Sequence, residues 1–191
     1  MFALEPGVLY TKVGYSGGQQ KNPSYHRMAD HTETTFVAFD PSRTNYSRLL
    51  SLFWNNHEPQ GARSRQYRSV IFTHNAIQAR LADESKTVYE AKHGVVATSI
   101  EPHTSFTNAE GYHQHYFMQQ HKRAIMTRFN QDPNSAAFTE SPEATRINGY
   151  IQGYGTLAQL ESEVFQLLDE EGKRNLLGMY HEGTGGSSGC H

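Results

Sequence analysis

Three side chains of this 191-residue sequence have the types and setting for acid chemistry: Glu33, Tyr25 and Tyr67. Glu33 follows D-H-T and opens a strand-like run, and Tyr25 lies in the polar loop before it. A carboxyl group flanked by phenols in a partly apolar pocket can hold its proton near neutral pH and act as an acid. The spacing is also open to a plainer reading, with a strand-end glutamate in solvent and a loop tyrosine packed on the surface. Cys190, the one cysteine, sits in a Gly/Ser-rich tail. Its thiol is expected to be exposed, mobile and unperturbed, hence available for thiol–disulfide exchange, unless it is an incidental terminal residue. Eleven histidines raise the question of a metal. His113 and His115 stand two apart, Glu110 and His113 form only an i, i+3 pair, and no H-E-x-x-H arrangement accompanies them. Metal chemistry is the weakest reading, and these histidines are expected to be surface or supporting groups.

The stretch from Asn45 to Phe72 organises the elements that must position these groups. Tyr46, Leu49, Leu50, Phe53 and Trp54 recur at i, i+3, i+4, i+7 and i+8, which predicts an amphipathic helix. Thr44 or Asn45 caps it, and Pro59 stops it near His57. After a polar loop with Gly61, Gln66 to Phe72 has the composition of a buried strand, with Tyr67 at its mouth. Upstream, Val8–Tyr15 and Glu33–Phe39 read as strands, separated by the polar loop Gln19–Asp30. Downstream, Asn75 caps a helix with Ile77, Leu81 and Val88 on one face, and Val95–Ile100 reads as a strand. Ala109 to about Met126 reads as a helix, with Tyr112 and Tyr116 packing one turn apart. Asn130–Arg146 is rich in Asn, Pro, Ser and Glu and reads as a linker. Thr156 and Gln159 form a capping box before Leu157, Leu160, Val164 and Leu167, and Glu182–His191 reads as a flexible tail. Alternation between periods of 2 and 3.6 predicts an α+β chain, a mixed sheet with packed helices.

Hydrophobic residues make up 36% of the chain, but aromatics at 12% supply enough bulk for a core. A net charge of −2 gives no electrostatic case for nucleic acid or an acidic membrane. No apolar run approaches the roughly 20 residues of a membrane span. The start, M-F-A-L-E-P-G, lacks the features of a signal peptide, and a single cysteine suits a reducing compartment, so a cytoplasmic location is expected.

Seven blocks in order carry a resemblance: P-G-V-L-Y-T-K-V-G-Y-S-G-G (Pro6–Gly18), N-P-S-Y (Asn22–Tyr25), D-H-T-E (Asp30–Glu33), F-D-P (Phe39–Pro41), L-F-W-N-N-H-E (Leu52–Glu58), Q-Y-R-S (Gln66–Ser69) and A-E-G-Y-H-Q-H-Y (Ala109–Tyr116). Over about residues 6–120 the chain resembles the methionine sulfoxide reductase A family, which reduces the S-epimer of methionine sulfoxide. The D-H-T-E and F-W-N-N-H-E forms and the long C-terminal extension are most similar to the insect-type branch.

The resemblance implies that Glu33 is the substrate-site carboxyl, that Tyr25 and Tyr67 are the two assisting phenols, and that Cys190 is the resolving cysteine. It implies a ferredoxin-like plait over residues 1–129, followed by a linker, helical extension and Gly-rich tail over 130–191. Two departures stand out. Ala62 occupies the position of the family's pocket aspartate, and the family's G-C-F-W-G block, with its nucleophilic cysteine, first strand and helix, has no counterpart. Without that central strand, unpaired edges and a poorly folded, inactive chain are expected. The function implied is thiol-dependent repair of oxidised methionine, with thioredoxin as reductant, no cofactor or metal, and a monomeric protein. The alternative is a non-catalytic paralogue or truncated isoform that only binds methionine sulfoxide.

Overall fold

The computed structural model describes residues 1–57, 59, 64–121 and 131–186. The chain divides into two compact units, Val13–Glu110 and Met1–Lys12 with Gly111–His191.

Strand β1 (Val8–Ser16), of which Val13–Ser16 fall in the Val13–Glu110 unit, lies between β2 (Thr32–Phe39) and β5 (Phe106–Asn108). Strands β1 and β5 run antiparallel, with Gly14 opposite Asn108 and Ser16 opposite Phe106. Strands β3 (Val70–Thr73) and β4 (Ser99–Pro102) form a separate parallel pair, Val70 opposite Ser99 and Phe72 opposite Glu101. The class is α+β as read, but these strands lie in two small sheets rather than one. Between β2 and the approach to β3 the link is made by side chains, not a backbone ladder. The Thr32 hydroxyl donates to the Arg65 carbonyl at 3.0 Å, and Arg68 Nε donates to the Thr32 hydroxyl at 2.8 Å. This also corrects the expected strand Gln66–Phe72: Arg65–Tyr67 is a 3-10 turn, and pairing begins only at Val70.

Helix α1 (Tyr46–Asn56) is capped by Asn45, whose side chain accepts from the Arg48 amide. Helix α2 (Ala76–His93), which connects the parallel strands, is capped in the same way by Asn75. Leu50, Trp54, Ile71, Ala82 and Val96 form the core of the unit. The Trp54 indole stacks on Tyr89, 4.9 Å between centroids, and donates to the Ser85 hydroxyl. The α2 face is only partly the one expected: Leu81 packs against the core, but Ile77 and Val88 are 65% and 59% exposed while Ala82 is fully buried. With Trp54 and Tyr89 filling the interface, the small residue is the one that lets the helix approach. Likewise Val95 is exposed, Val96 is buried, and β4 starts only at Ser99, opposite the delayed start of β3.

The other unit is helical: α3 (Tyr116–Gln120), α4 (Ala136–Thr139), α5 (Pro142–Ile151), α6 (Leu157–Val164) and α7 (Glu170–Gly186). Its core gathers Met118, Phe138, Ile147, Tyr150, Leu160, Val164 and Leu176 with Ala3 and Leu4 from the start of the chain. Residues 136–146, within the stretch expected as linker, thus lie in two helices, the second of which runs on to Ile151. Ser135 and Ser141 accept from the amides of Phe138 and Ala144, and Pro142 sits in the first turn of α5. Serine and proline mark helix starts as readily as linkers. The expected helix from Ala109 instead comprises a 3-10 turn, Gly111–His113, and the short α3, interrupted at His115 by a left-handed φ of 45°; residues 122–126 lie outside the described residues. The Thr156–Gln159 capping box is present.

Helix α7 carries the glycine-rich stretch as far as Gly186, where a flexible tail was expected. Glycine serves close packing here, since a Cβ on Gly153 would lie 2.4 Å from the Gly183 carbonyl carbon. Among the described residues no helix is long and apolar enough to cross a membrane.

The packing of α2 predicts unequal costs for two deletions. Leu50→Ala, in the core, should destabilise by about 2–5 kcal/mol. Ile77→Ala, on the exposed face, should change stability by no more than about 0.5 kcal/mol. Urea unfolding of both variants checks this, and a large loss from Ile77→Ala would restore the face expected from periodicity.

Candidate functional site

Strand alternation sets the first member of the site. Thr32 is buried under β2 and Glu33, one residue on, is exposed on the opposite side. Tyr67 ends the 3-10 turn Arg65–Tyr67, and Tyr25 lies in a tight turn where Ser24 and Arg27 pair through their backbones. These three groups, from separate parts of the chain, meet. The Gln66 side-chain amide donates to Glu33 Oε1 and to the Tyr67 hydroxyl, both at 2.9 Å. The Tyr67 hydroxyl is in turn hydrogen-bonded to the Tyr25 hydroxyl. Removal of the hydroxyl from water, then the Glu33 charge and the Tyr25 contact, hold the Tyr67 phenol above its ordinary range; the Gln66 bond acts in the opposite sense. The partly apolar pocket expected around Glu33 is not the setting found, since Tyr25 and Tyr67 are 40% and 50% exposed. The cluster is an open polar face that can offer hydroxyl and carboxyl groups to a ligand oxygen.

A half-buried network stands directly behind it. Arg68, next to Tyr67, forks onto Glu101, with Nη2 at 2.8 Å from Oε2 and Nη1 on Oε1, and its Nε reaches Thr32, next to Glu33. Ser99 donates to the same Glu101 carboxylate at 2.9 Å. One guanidinium therefore ties together the neighbours of two site residues. Arg68 holds the Glu101 carboxyl below the usual carboxylate range.

His57, at the end of α1, is placed similarly. Its Nδ1 lies 2.7 Å from the Phe53 carbonyl and so carries the hydrogen; its Nε2 then accepts from the Ser69 hydroxyl at 2.8 Å. Ser69 in turn meets the Thr98 hydroxyl at 2.7 Å. This fastens the chain two residues beyond Tyr67. The Tyr25 loop is held at its base by Asp30, whose carboxylate accepts from the amides of Gln19 and Gln20, and by Arg65, which donates to the carbonyls of Asp30 and Gly17.

Of the other residues singled out in the sequence, Cys190 and Ala62 lie outside the described residues. Tyr112 and Tyr116 are exposed rather than packed. His115 is buried, 3.1 Å from the Phe138 carbonyl through Nε2, and burial lowers its pKa to about 4, so of the surface or supporting roles expected it has a supporting one, as a neutral structural group. Sequence reasoning missed Gln66, Arg68, Thr32 and Glu101 as partners of the site. Gln66 and Arg68 flank Tyr67 in the Q-Y-R-S block, which was the available signal.

Comparison with known proteins gives the family of the chain. The family model for peptide methionine sulfoxide reductase matches residues 1–146. The chain belongs to the peptide methionine sulfoxide reductase family. It is 37% identical over 168 residues to a peptide methionine sulfoxide reductase of Drosophila melanogaster, covering 85% of this chain and 67% of that protein. It is 36% identical over 157 residues to peptide methionine sulfoxide reductase A5 of Oryza sativa subsp. japonica, covering 78% of this chain and 61% of that protein. Among solved structures it is similar to reduced Mxr1 from Saccharomyces cerevisiae, with a TM-score of 0.56 and 28% identity over 59% of this chain and 72% of that one. It is equally similar to methionine sulfoxide reductase A of Corynebacterium diphtheriae, with a TM-score of 0.56 and 33% identity over 60% of this chain and 65% of that one. The chain thus spans about two thirds of the length of these relatives.

The network behind the site makes a pH-dependent contribution to stability. Glu101→Gln should destabilise by about 1.5–3 kcal/mol at pH 7, the range for hydrogen bonds to charged groups. Because the folded-state pKa of Glu101 is depressed, its contribution is complete above the unfolded value near 4.3 and fades as pH falls through the folded value. Unfolding midpoints of the wild type and Glu101→Gln should therefore converge as pH falls below the unfolded value and through the depressed folded one. A gap independent of pH would rule out the charged pair as its source.

Proposed function

We propose that this chain takes part in the reduction of methionine-S-sulfoxide, in proteins and as the free amino acid, with Glu33, Tyr67 and Tyr25 handling the sulfoxide oxygen. The observation that carries this reading is the Gln66 amide bonded to both Glu33 and Tyr67, with Tyr25 on the Tyr67 hydroxyl. Reduction begins when a thiolate attacks the sulfoxide sulfur. Attack joins the two sulfurs; the oxygen takes up two protons and leaves as water as the S–O bond breaks, and a water molecule then adds to the cysteine sulfur, breaking the S–S bond so that methionine and a proton are released and the cysteine is left as a sulfenic acid. Hydrogen-bond donors aimed at the oxygen favour this step because negative charge develops there.

A resolving thiol then displaces water from the sulfenic acid to form a disulfide, which a dithiol such as that of thioredoxin reduces. Cys190, the single cysteine, takes the resolving role, so the attack falls to a second thiol. An open polar face suits a methionine carried on another polypeptide, since the substrate need not be engulfed. The reading carries with it the ferredoxin-like plait as the arrangement of residues 1–129, with 130–191 as an extension, and a monomeric cytoplasmic protein acting in repair after oxidative stress.

The test is binding first and turnover second. N-acetyl-methionine-S-sulfoxide methyl ester should bind in ligand-observed NMR where the R-epimer does not, and Glu33→Gln or Tyr67→Phe should each weaken it about 10-fold, the worth of one good hydrogen bond. Equal binding of both epimers, unaffected by either change, would remove the role of these residues. In an assay with thioredoxin or dithiothreitol, the 191 residues alone should give no multiple turnovers. Repeated turnover abolished by Cys190→Ser would instead make Cys190 the nucleophile.

A further inference from the structure

We infer that Glu110 is a positioning residue of this site, holding Tyr25 so that its phenol meets Tyr67; the inference rests on the reading of those phenols given above. Glu110 follows Ala109, whose amide donates to the Val13 carbonyl at 3.0 Å and fastens this end of the chain to β1. One carboxylate oxygen, Oε2, accepts from the Tyr15 hydroxyl at 2.7 Å, and Tyr15 is 2% exposed. The other, Oε1, accepts from the backbone amide of Tyr25 at 3.0 Å. The carboxylate therefore joins a buried side chain of β1 to the turn that carries the phenol, across 85 residues of sequence.

Ser24 and Arg27 pair through their backbones within the turn, and contacts from outside steady the less favourable backbone on either side of it. Asn22 and Ala29 both adopt left-handed φ, 54° and 53°, a conformation that L side chains disfavour. Asp30 secures the base of the loop through Gln19 and Gln20, and Glu110 secures the tip. Carboxylate chemistry fits the position, since its two oxygens accept from two donors at once, whereas a carboxamide has a single acceptor oxygen.

The experiment reads Tyr67 rather than turnover. In protein labelled with 13C at tyrosine Cζ, the Tyr67 phenol is titrated by NMR in the full chain. The Tyr25 hydroxyl is among the groups that hold Tyr67 above its ordinary value. Tyr25→Phe should therefore lower the Tyr67 midpoint, Glu110→Ala should lower it too, and the double variant should lower it no further than either alone. Glu110→Gln, which keeps an acceptor for the Tyr25 amide, should stay nearer the wild type. If Glu110→Ala does not fold, Tyr15→Phe, which cuts the anchor but leaves the Tyr25 bond, should lower the midpoint in the same direction. A folded Glu110→Ala with the wild-type midpoint, alongside a shifted Tyr25→Phe, would overturn the inference; so would an unmoved Tyr15→Phe where Glu110→Ala is unfolded. Adding methionine-S-sulfoxide to the wild type separates the two readings. A Tyr67 signal indifferent to sulfoxide counts against the proposed function and leaves the role of Glu110 standing.

Discussion

Arg68 carries a permanent charge on a side chain only 19% exposed, and a guanidinium in that position must be satisfied or it costs several kcal/mol. Here it is satisfied from three directions. Glu101 accepts its fork, Thr32 accepts its Nε, and the Phe72 ring lies under it, 5.9 Å from the guanidinium carbon. Each partner belongs to a different strand, β4, β2 and β3. Satisfying one charge therefore sets β2 against the β3–β4 pair, which belongs to a separate sheet. A lysine could not do this, having a point charge and no planar fork.

The site in front of this network has a direction built into it. An amide nitrogen can only donate, so Gln66 makes acceptors of Glu33 Oε1 and the Tyr67 oxygen. The Tyr67 proton is then left to point elsewhere, and Tyr25 is the neighbour within hydrogen-bond reach. The polar groups face outward while their restraints, Thr32, Ser69 and Tyr15, face inward. Rigidity thus comes from behind the face, and the face itself stays open to a ligand.

Much of this was legible in the sequence, and the failures share causes. Strands β1 and β2, helix α1 with its Asn45 cap, and the Thr156–Gln159 box follow from alternation, 3.6 periodicity and capping chemistry, which are local signals. Tyr25, Glu33 and Tyr67 were singled out together, mostly through resemblance; composition could not show that Gln66 would join them. The start of β3 was misplaced because Arg65–Tyr67 obeys a distant partner, Thr32, instead of its own β-branched neighbours. The face of α2 was partly misread because Ala82 was selected by size and Ile77 only looked selected by hydropathy. Ser135, Ser141 and Pro142 looked like a linker because caps and linkers draw on the same residues. Glu110 and Glu101 were invisible as partners because carboxylates on a sequence carry no sign of what they will accept.

The helical unit has one further property, that it is not contiguous. Leu4 packs among Phe138, Ile147, Tyr150 and Leu160, and the Arg146 guanidinium donates to the Ala3 carbonyl, 143 residues away. During synthesis, the opening dozen residues leave the ribosome long before any of these partners exists. Val13–Glu110 is continuous and can close as soon as its last strand emerges. The first segment must wait, unburied, until Leu160 and Leu176 have been made, and closing so large a loop costs entropy before any contact rewards it. The segment Met1–Lys12, made well before the partners it packs against, is thus among the last to reach its final surroundings, and its apolar side chains stay open to a chaperone until then.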